Sequence, residues 1–274
     1  MGCPVQWLSF ILSLVLGLMG MLGPRLPDAS SDLSTPAPYG KAQPVFRDTF
    51  DRVSVGGGGT WGWKTGAYSG NCTDNPGDFK LDHLTPDALR VDNGTLVITA
   101  RPAADGRWDT GLVTTGDSCG SGGSGAQIRT GDILLARIRL PAADSGAWPA
   151  LWTWRDGRNE IDVFEWHGDR PGVAEFVNHV RGGSGTYTSD AVRPGAWIYV
   201  GARFGASNTV WYVGSAQDRL EIAYQDHRGV GEDFAAFPVL SLSVNNGRYH
   251  HAPPGKVPVD LAVDSITVYR PATP

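Results

Sequence analysis

The sequence predicts an all-β fold, an antiparallel β-sandwich of the jelly-roll kind. Three observations predict it. Short runs of alternating apolar and polar residues recur along the chain, turn signals separate them, and no long amphipathic helical pattern lies between them. Composition agrees: 37 glycines, 19 prolines and 10 tryptophans in 274 residues suit many turns joining aromatic-rich strands. That length accommodates one such domain with a full core. Neither an internal repeat nor a second domain is legible, and a monomer is expected.

In chain order, the first segment stands apart. Val5 to Leu22 is almost wholly apolar and the first charge is Arg25. Residues 1–28 read as a secretory signal or, because the run nearly suffices to span a bilayer, as an uncleaved N-terminal anchor. Either reading exports the rest of the chain, as a secreted or a membrane-anchored extracellular protein. Residues 29–44 form a polar, Pro/Ser-rich linker, and 45–272 the single domain. Cys3 lies in the leader. Cys72 and Cys119 remain in Gly/Asp/Ser-rich loops, where an exported even pair predicts one disulfide over two buried thiols. Formal net charge is -5 with no basic patch, which excludes nucleic acid and anionic membranes as natural partners and leaves a neutral or weakly charged ligand.

The strands follow. Thr95–Ala100 is one, after the Asp92-Asn93-Gly94 turn. Ile133–Leu140 places Leu134, Ala136, Ile138 and Leu140 on one face and Arg137 and Arg139 on the other. Trp197–Phe204, Thr209–Val213, Val239–Val244 and Leu261–Tyr269 complete the set, with turns at Arg181-Gly182-Gly183, Arg193-Pro194-Gly195 and Asn245-Asn246-Gly247.

The chemistry is concentrated in Asn159-Glu160-Ile161-Asp162-Val163-Phe164-Glu165-Trp166. Three carboxylates lie in a β-favouring stretch. Strict alternation puts Glu160 and Asp162 on one face and Glu165 on the other. A β-bulge between Asp162 and Glu165 adds one residue and brings all three to one side. Two carboxyls about 5–5.5 Å apart are what a retaining glycosidase needs, one as nucleophile and one as acid/base. Crowding drives one pKa up, as a general acid at neutral pH requires. A solvated strand face or a calcium site would present the same three acids, and the neighbouring residues decide between the readings.

Those neighbours are Gly146-Ala147-Trp148-Pro149-Ala150-Leu151-Trp152-Thr153-Trp154. A Trp-Pro-Ala-x-Trp strand, a turn, then Glu-(aliphatic)-Asp-x-x-Glu resembles glycoside hydrolase family 16, the laminarinase and lichenase group, in its bulged, laminarinase-like form. Val45–Phe50, Asn93–Ile98, Arg137–Pro141, Trp197–Val213 and Val263–Tyr269 resemble further family segments in the same order, so the likeness runs from about Gln43 to Arg270. It implies a concanavalin A-like jelly roll with an open cleft, cutting β-1,3- or mixed β-1,3/1,4-glucans, or algal galactans, with retention. By position it implies Glu160 as nucleophile, Asp162 as its helper and Glu165 as acid/base. Trp148 and Trp152 would stack on sugar, Trp154 less so, and His179, in the strand after the catalytic one, would help place the leaving sugar. No cofactor is required for the chemistry. The family's structural calcium would fall to Asp264 and the region of Asp48.

Departures concern the substrate more than the chemistry. Gly131–Arg137 lacks the family's glutamate, Ser241 stands where many members place asparagine, Asn245-Asn246-Gly247 replaces a Gly-Gly turn, and the following loop with Tyr249, His250 and His251 does not match the family pattern. The expected activity is thus a retaining endo-glycosidase on a β-linked polysaccharide. Its rivals are a transglycosylase using the same residues and a non-catalytic lectin-like sandwich, which has no need for paired acids.

Overall fold

The structure is a computed structural model and describes residues 39–52 and 54–272. The apolar leader, Cys3 and the linker before Tyr39 lie outside the described residues. Seventeen strands run through the described chain: β1 (Gln43–Asp48), β2 (Asp82–Leu84), β3 (Leu89–Asp92), β4 (Thr95–Pro102), β5 (Trp108–Thr110), β6 (Leu112–Thr114), β7 (Ile128–Arg129), β8 (Ile133–Arg139), β9 (Ala147–Trp154), β10 (Ile161–Trp166), β11 (Val173–Asn178), β12 (Ser184–Thr188), β13 (Trp197–Phe204), β14 (Thr209–Gly214), β15 (Leu220–Asp226), β16 (Ala235–Val244) and β17 (Val259–Arg270). The only helices among the described residues are two single 3-10 turns, Pro76–Asp78 and Pro86–Ala88.

The strands make two sheets. The back sheet runs β15-β14-β13-β8-β17-β4-β5-β2, with β1 added on β17 and β3 on β4; the cleft sheet runs β12-β11-β10-β9-β16-β6, with β7 added on β16. Pairing is antiparallel except for β2 with β5. Consecutive hairpins supply β9-β10-β11-β12 and β13-β14-β15, while β16 and β17 return from far along the chain to the sheet centres. That mixture of hairpins and long returns is the jelly-roll solution to covering two apolar faces.

Alternation explains the core. On β8, Leu134, Ala136 and Ile138 face inward, and Leu140 follows them just beyond the strand; on β13, Ile198, Val200, Ala202 and Phe204 do the same. They meet Leu151 of β9, Phe176 of β11 and Leu240, Leu242 and Val244 of β16. On the outer face of β8, Arg137 and Arg139 lie over the Trp197 ring, 4.7 and 5.6 Å from its centroid. Leu135 joins a second apolar cluster there with Val210, Tyr212 and Leu220.

Cys72 and Cys119 form the expected disulfide. It ties the long 62–81 loop to the 115–126 loop. Trp63 and Lys64 N–H groups also donate to Ser121 Oγ, each at 3.0 Å, and Gly66 N–H to the Asp117 carbonyl at 2.8 Å. The 62–81 loop is thereby fixed along one edge of the cleft sheet.

Candidate active site

The bulge lies where the sequence places it. Against β11, the register of β10 shifts between Asp162 and Glu165; against β9 it shifts between Asp162 and Phe164. Val163 and Phe164, adjacent in sequence, are both in the core with Ile161 and Trp166. The extra inward residue is what turns Glu165 back to the side of Glu160 and Asp162. A bulge leaves a ladder group without its partner, and here the Trp211 indole N–H crosses from the back sheet to donate to the Asp162 carbonyl at 2.9 Å. Glu160 stands one residue before β10 rather than within it. The tight turn that delivers it is held by Thr153 Oγ1, which donates to the Asn159 carbonyl (2.8 Å) and accepts from Ile161 N–H (3.0 Å). Asn159 supports the turn in a left-handed conformation at φ 61°.

The three acids line a cleft of about 390 Å³ together with Trp148, Trp152, Trp154, His179 and Ser241 from β9, β16 and the loop after β11. The wall facing them comes from the disulfide-tied loop and includes Tyr68, Asp78 and Lys80, with Tyr249 at one end.

His179 lies in the turn immediately after β11, not in the strand. Asn178 anchors that turn: buried, it donates to Asp226 Oδ2 and the Gly229 carbonyl and accepts from Arg181 N–H. His179 N–H donates to the Glu160 carbonyl at 3.1 Å. Its ring Nε2 meets Asp162 Oδ2 at 2.9 Å, and that hydrogen bond is the main cause of an imidazole pKa raised to about 9. His179 is therefore an imidazolium donating to Asp162 at neutral pH.

Glu160 is raised to about 7, first by burial and then by the Asp162 charge, with His179 and Lys80 opposing. Glu165 is raised further, to about 8, again first by burial and then by Asp162, with Lys80 and the Trp148 hydrogen bond opposing. Both glutamates are thus pushed well above the ordinary carboxylate range by burial and by the shared Asp162 charge.

The tryptophans divide. The Trp148 indole N–H donates to Glu165 Oε1 at 2.8 Å. Lys80 Nζ lies over the Trp148 ring, 4.6 Å from its centroid, and His167 and Tyr249 pack against it at 4.8 and 6.0 Å. Trp148 is 8% exposed. The ring expected to stack on sugar is covered by protein; what it offers the site is its N–H. Trp152 pairs with Asp162 across β9 and β10, packs edge-on to Trp154, and donates from Nε1 to Ser241 Oγ at 3.1 Å. Ser241 thus supports a cleft tryptophan. Trp154 is the more open of these rings toward the cleft.

Two groups of potential metal ligands come together among the described residues: Glu160, Asp162 and His179, and His167, Glu175 and His250. Neither suits an ion. In the first group His179 Nε2, the nitrogen facing the acids, is already bonded to Asp162 Oδ2 at 2.9 Å. In the second group the Asn245 amide nitrogen faces both the Gly146 carbonyl and His167 Nδ1. Nδ1 therefore accepts, and Nε2, buried without a partner, carries the hydrogen. The His167 and His250 rings are also stacked, 3.6 Å apart, so their in-plane nitrogens do not converge on one point. The expected calcium ligands fare no better. Asp264, at a β17 bulge, pairs with Arg137 at 3.2 Å. Asp48 accepts from Phe50 N–H and the Trp61 indole. Asp48 is committed to protein donors and Asp264 Oδ1 to Arg137, so these two residues supply too few free oxygens for a cation needing six or more.

Lys80, Tyr68 and the Tyr249 loop were not legible as site residues. No motif surrounds Lys80, and only the disulfide and the pairing of 79–81 with the end of β16 bring it into the cleft.

No family profile and no curated protein matches the sequence. Solved structures do match. The endo-β-1,3-glucanase of Pyrococcus furiosus superposes with a TM-score of 0.66 at 19% identity, over 85% of this chain and 96% of that one. The laminarinase catalytic domain of Thermotoga petrophila RKU-1 gives 0.66 at 20% identity, over 85% and 99%. A variant of SCLam, a non-specific endo-β-1,3(4)-glucanase of glycoside hydrolase family 16 crystallised with a glucan oligosaccharide at its active site, gives 0.64 at 19% identity, over 86% and 98%. In fold, the chain is similar to the family 16 laminarinases and β-1,3(4)-glucanases.

Proposed function

We propose that the protein is a retaining endo-glycosidase that hydrolyses a β-1,3- or mixed β-1,3/1,4-linked glucan. The observation that carries the reading is the β10 bulge, which sets Glu160, Asp162 and Glu165 on one side of an open cleft. Catalysis then runs by double displacement. A Glu160 carboxylate oxygen bonds to the anomeric carbon as the glycosidic C–O bond breaks. The leaving oxygen takes the Glu165 proton. In the second half Glu165, now a carboxylate, takes a proton from water as its oxygen attacks the anomeric carbon, and Glu160 leaves as a carboxylate. Asp162, held by His179, fixes the geometry between them and raises both neighbours. Trp154 offers an apolar face for a sugar ring, while Trp152, 6% exposed, supports it from beneath. Calcium has no part in this account. The disulfide and the apolar run Val5–Leu22 support an exported enzyme.

The test is reducing-sugar release from laminarin, lichenan, barley β-glucan, agarose and carrageenan, repeated with oligosaccharide acceptor present. Hydrolysis of a glucan, abolished in Glu160→Gln while the variant stays folded and still binds, is the expected result. Transfer to acceptor in preference to water would make the protein a transglycosylase. Binding without turnover on every polymer would make it a lectin-like module.

A further inference from the structure

Lys80 is the residue of the cleft whose position is least explained by folding. Its backbone is pinned to the end of β16: Leu81 N–H donates to the Val244 carbonyl at 2.8 Å, Asn246 N–H to the Phe79 carbonyl at 2.9 Å, and Lys80 itself bridges to Asn245. Its ammonium lies 4.6 Å from the Trp148 centroid and 5.4 Å from that of Tyr68. Among the described residues it makes no ion pair within 4.0 Å. A cation is thus caged by two aromatic faces in a cleft lined by four carboxyl groups, Asp78, Glu160, Asp162 and Glu165, without an ion pair to any of them. Trp148, the ring it rests on, donates its N–H to Glu165.

We propose that Lys80 is a positioning residue for Glu165: it clamps the Trp148 indole that orients the Glu165 carboxyl, and its fixed charge favours the carboxylate that forms when Glu165 gives up its proton. The inference rests on the acid/base role proposed above for Glu165. The physical case has two parts. A cation over an indole face is attracted by the ring quadrupole, more so where water is excluded, so ammonium and ring hold one another in place. The charge of Glu165 changes from zero to minus one in the first half of the reaction, and a cation that never moves stabilises the second state relative to the first without reorganisation. The groups facing Glu165 from every side are consistent with this. Asp162 on its own strand and Glu175 on β11 resist its ionisation. Lys80, the Trp148 N–H and, from the turn after β11, His179 oppose them. His167, packed on Trp148 from behind, is kept neutral by burial and by His250, with a pKa lowered to about 3, and so adds no competing charge.

The experiment compares wild type with Lys80→Met, Lys80→Arg and Trp148→Phe. Two quantities are read: the pH profile of kcat/KM, and the carboxyl carbon titration of Glu165 by 13C NMR, assigned by its disappearance in Glu165→Gln. Lys80→Met is expected to move the basic limb and the Glu165 titration upward together, by roughly half a unit to one unit, and to lower kcat more than it raises KM. Lys80→Arg, which keeps the charge and the stacking, restores both. Trp148→Phe keeps a ring under the ammonium but removes the N–H, and raises the titration again. An unmoved Glu165 titration in folded Lys80→Met overturns the proposal. So does a variant in which only KM changes, since Lys80 would then be a sugar contact alone. The titration needs no substrate, so a wild type inert on every glucan refutes the hydrolase reading while the positioning claim is still decided.

Discussion

Removing the disulfide by Cys72→Ser/Cys119→Ser is expected to lower stability substantially and leave the cleft in place. The bond closes a loop of 47 residues, and in the chain-entropy account closing a loop of that length raises the free energy of the unfolded chain by about 4 kcal/mol at 25 °C. For a domain of this size the melting temperature should fall by roughly 8–16 °C. The native 62–81 loop keeps its other anchors, the Ser121 hydroxyl and the Asp117 carbonyl, so turnover at 25 °C should stay near that of wild type. Guanidinium unfolding followed by tryptophan fluorescence, with activity measured on the same samples, tests both halves. A loss below about 1 kcal/mol at unchanged denaturant slope would refute the entropic argument. Full stability with lost turnover would show that the bond shapes the cleft wall, and with it Lys80, directly.

Three further outcomes follow from the electrostatics. Asp162→Asn removes the like charge that raises both glutamates, so both limbs of the pH profile should move to lower pH; unmoved limbs would contradict the assigned cause. Glu165 titrates near 8 in the folded chain against an ordinary 4.5. Its proton is held by the native state after the unfolded chain has released it, so its contribution is complete below the unfolded value and lost as pH rises toward 8. Glu165→Gln should therefore gain stability relative to wild type between pH 5 and pH 9 in denaturation midpoints; a constant difference would mean that Glu165 is not raised. His179 is raised from 6.5 to about 9, and its contribution is present below the lower value and lost through the higher one. His179→Ala should accordingly destabilise more at pH 6 than at pH 10, and equal loss at both would refute the imidazolium–Asp162 pair.

Much of this was legible in the sequence, for identifiable reasons. Period-two alternation reports burial directly, so Leu134, Ala136 and Ile138 declare the inner face of β8. The bulge was legible because three carboxylates in Glu-x-Asp-x-x-Glu share a side only if one residue is added, and Val163 and Phe164 supply two adjacent inward side chains. Orientation was harder to read. Trp148 has the composition of a sugar platform, but whether a ring is open depends on what folds over it, and Lys80 arrives from 68 residues upstream in sequence. Asp264 carries no mark of its pairing with Arg137, because that pairing is set by the register of β17 against β8. Local pattern fixes which face a side chain takes; long-range register decides what it meets there.

The central claim is that Glu160 and Glu165 act by two displacements at one carbon. Its most direct test is 1H NMR of the anomer first released from a laminari- or mixed-linkage oligosaccharide, recorded before mutarotation. The account predicts that the β-anomer appears first and relaxes to the equilibrium mixture. The α-anomer appearing first would mean a single displacement by water, and Glu160 would not be the nucleophile.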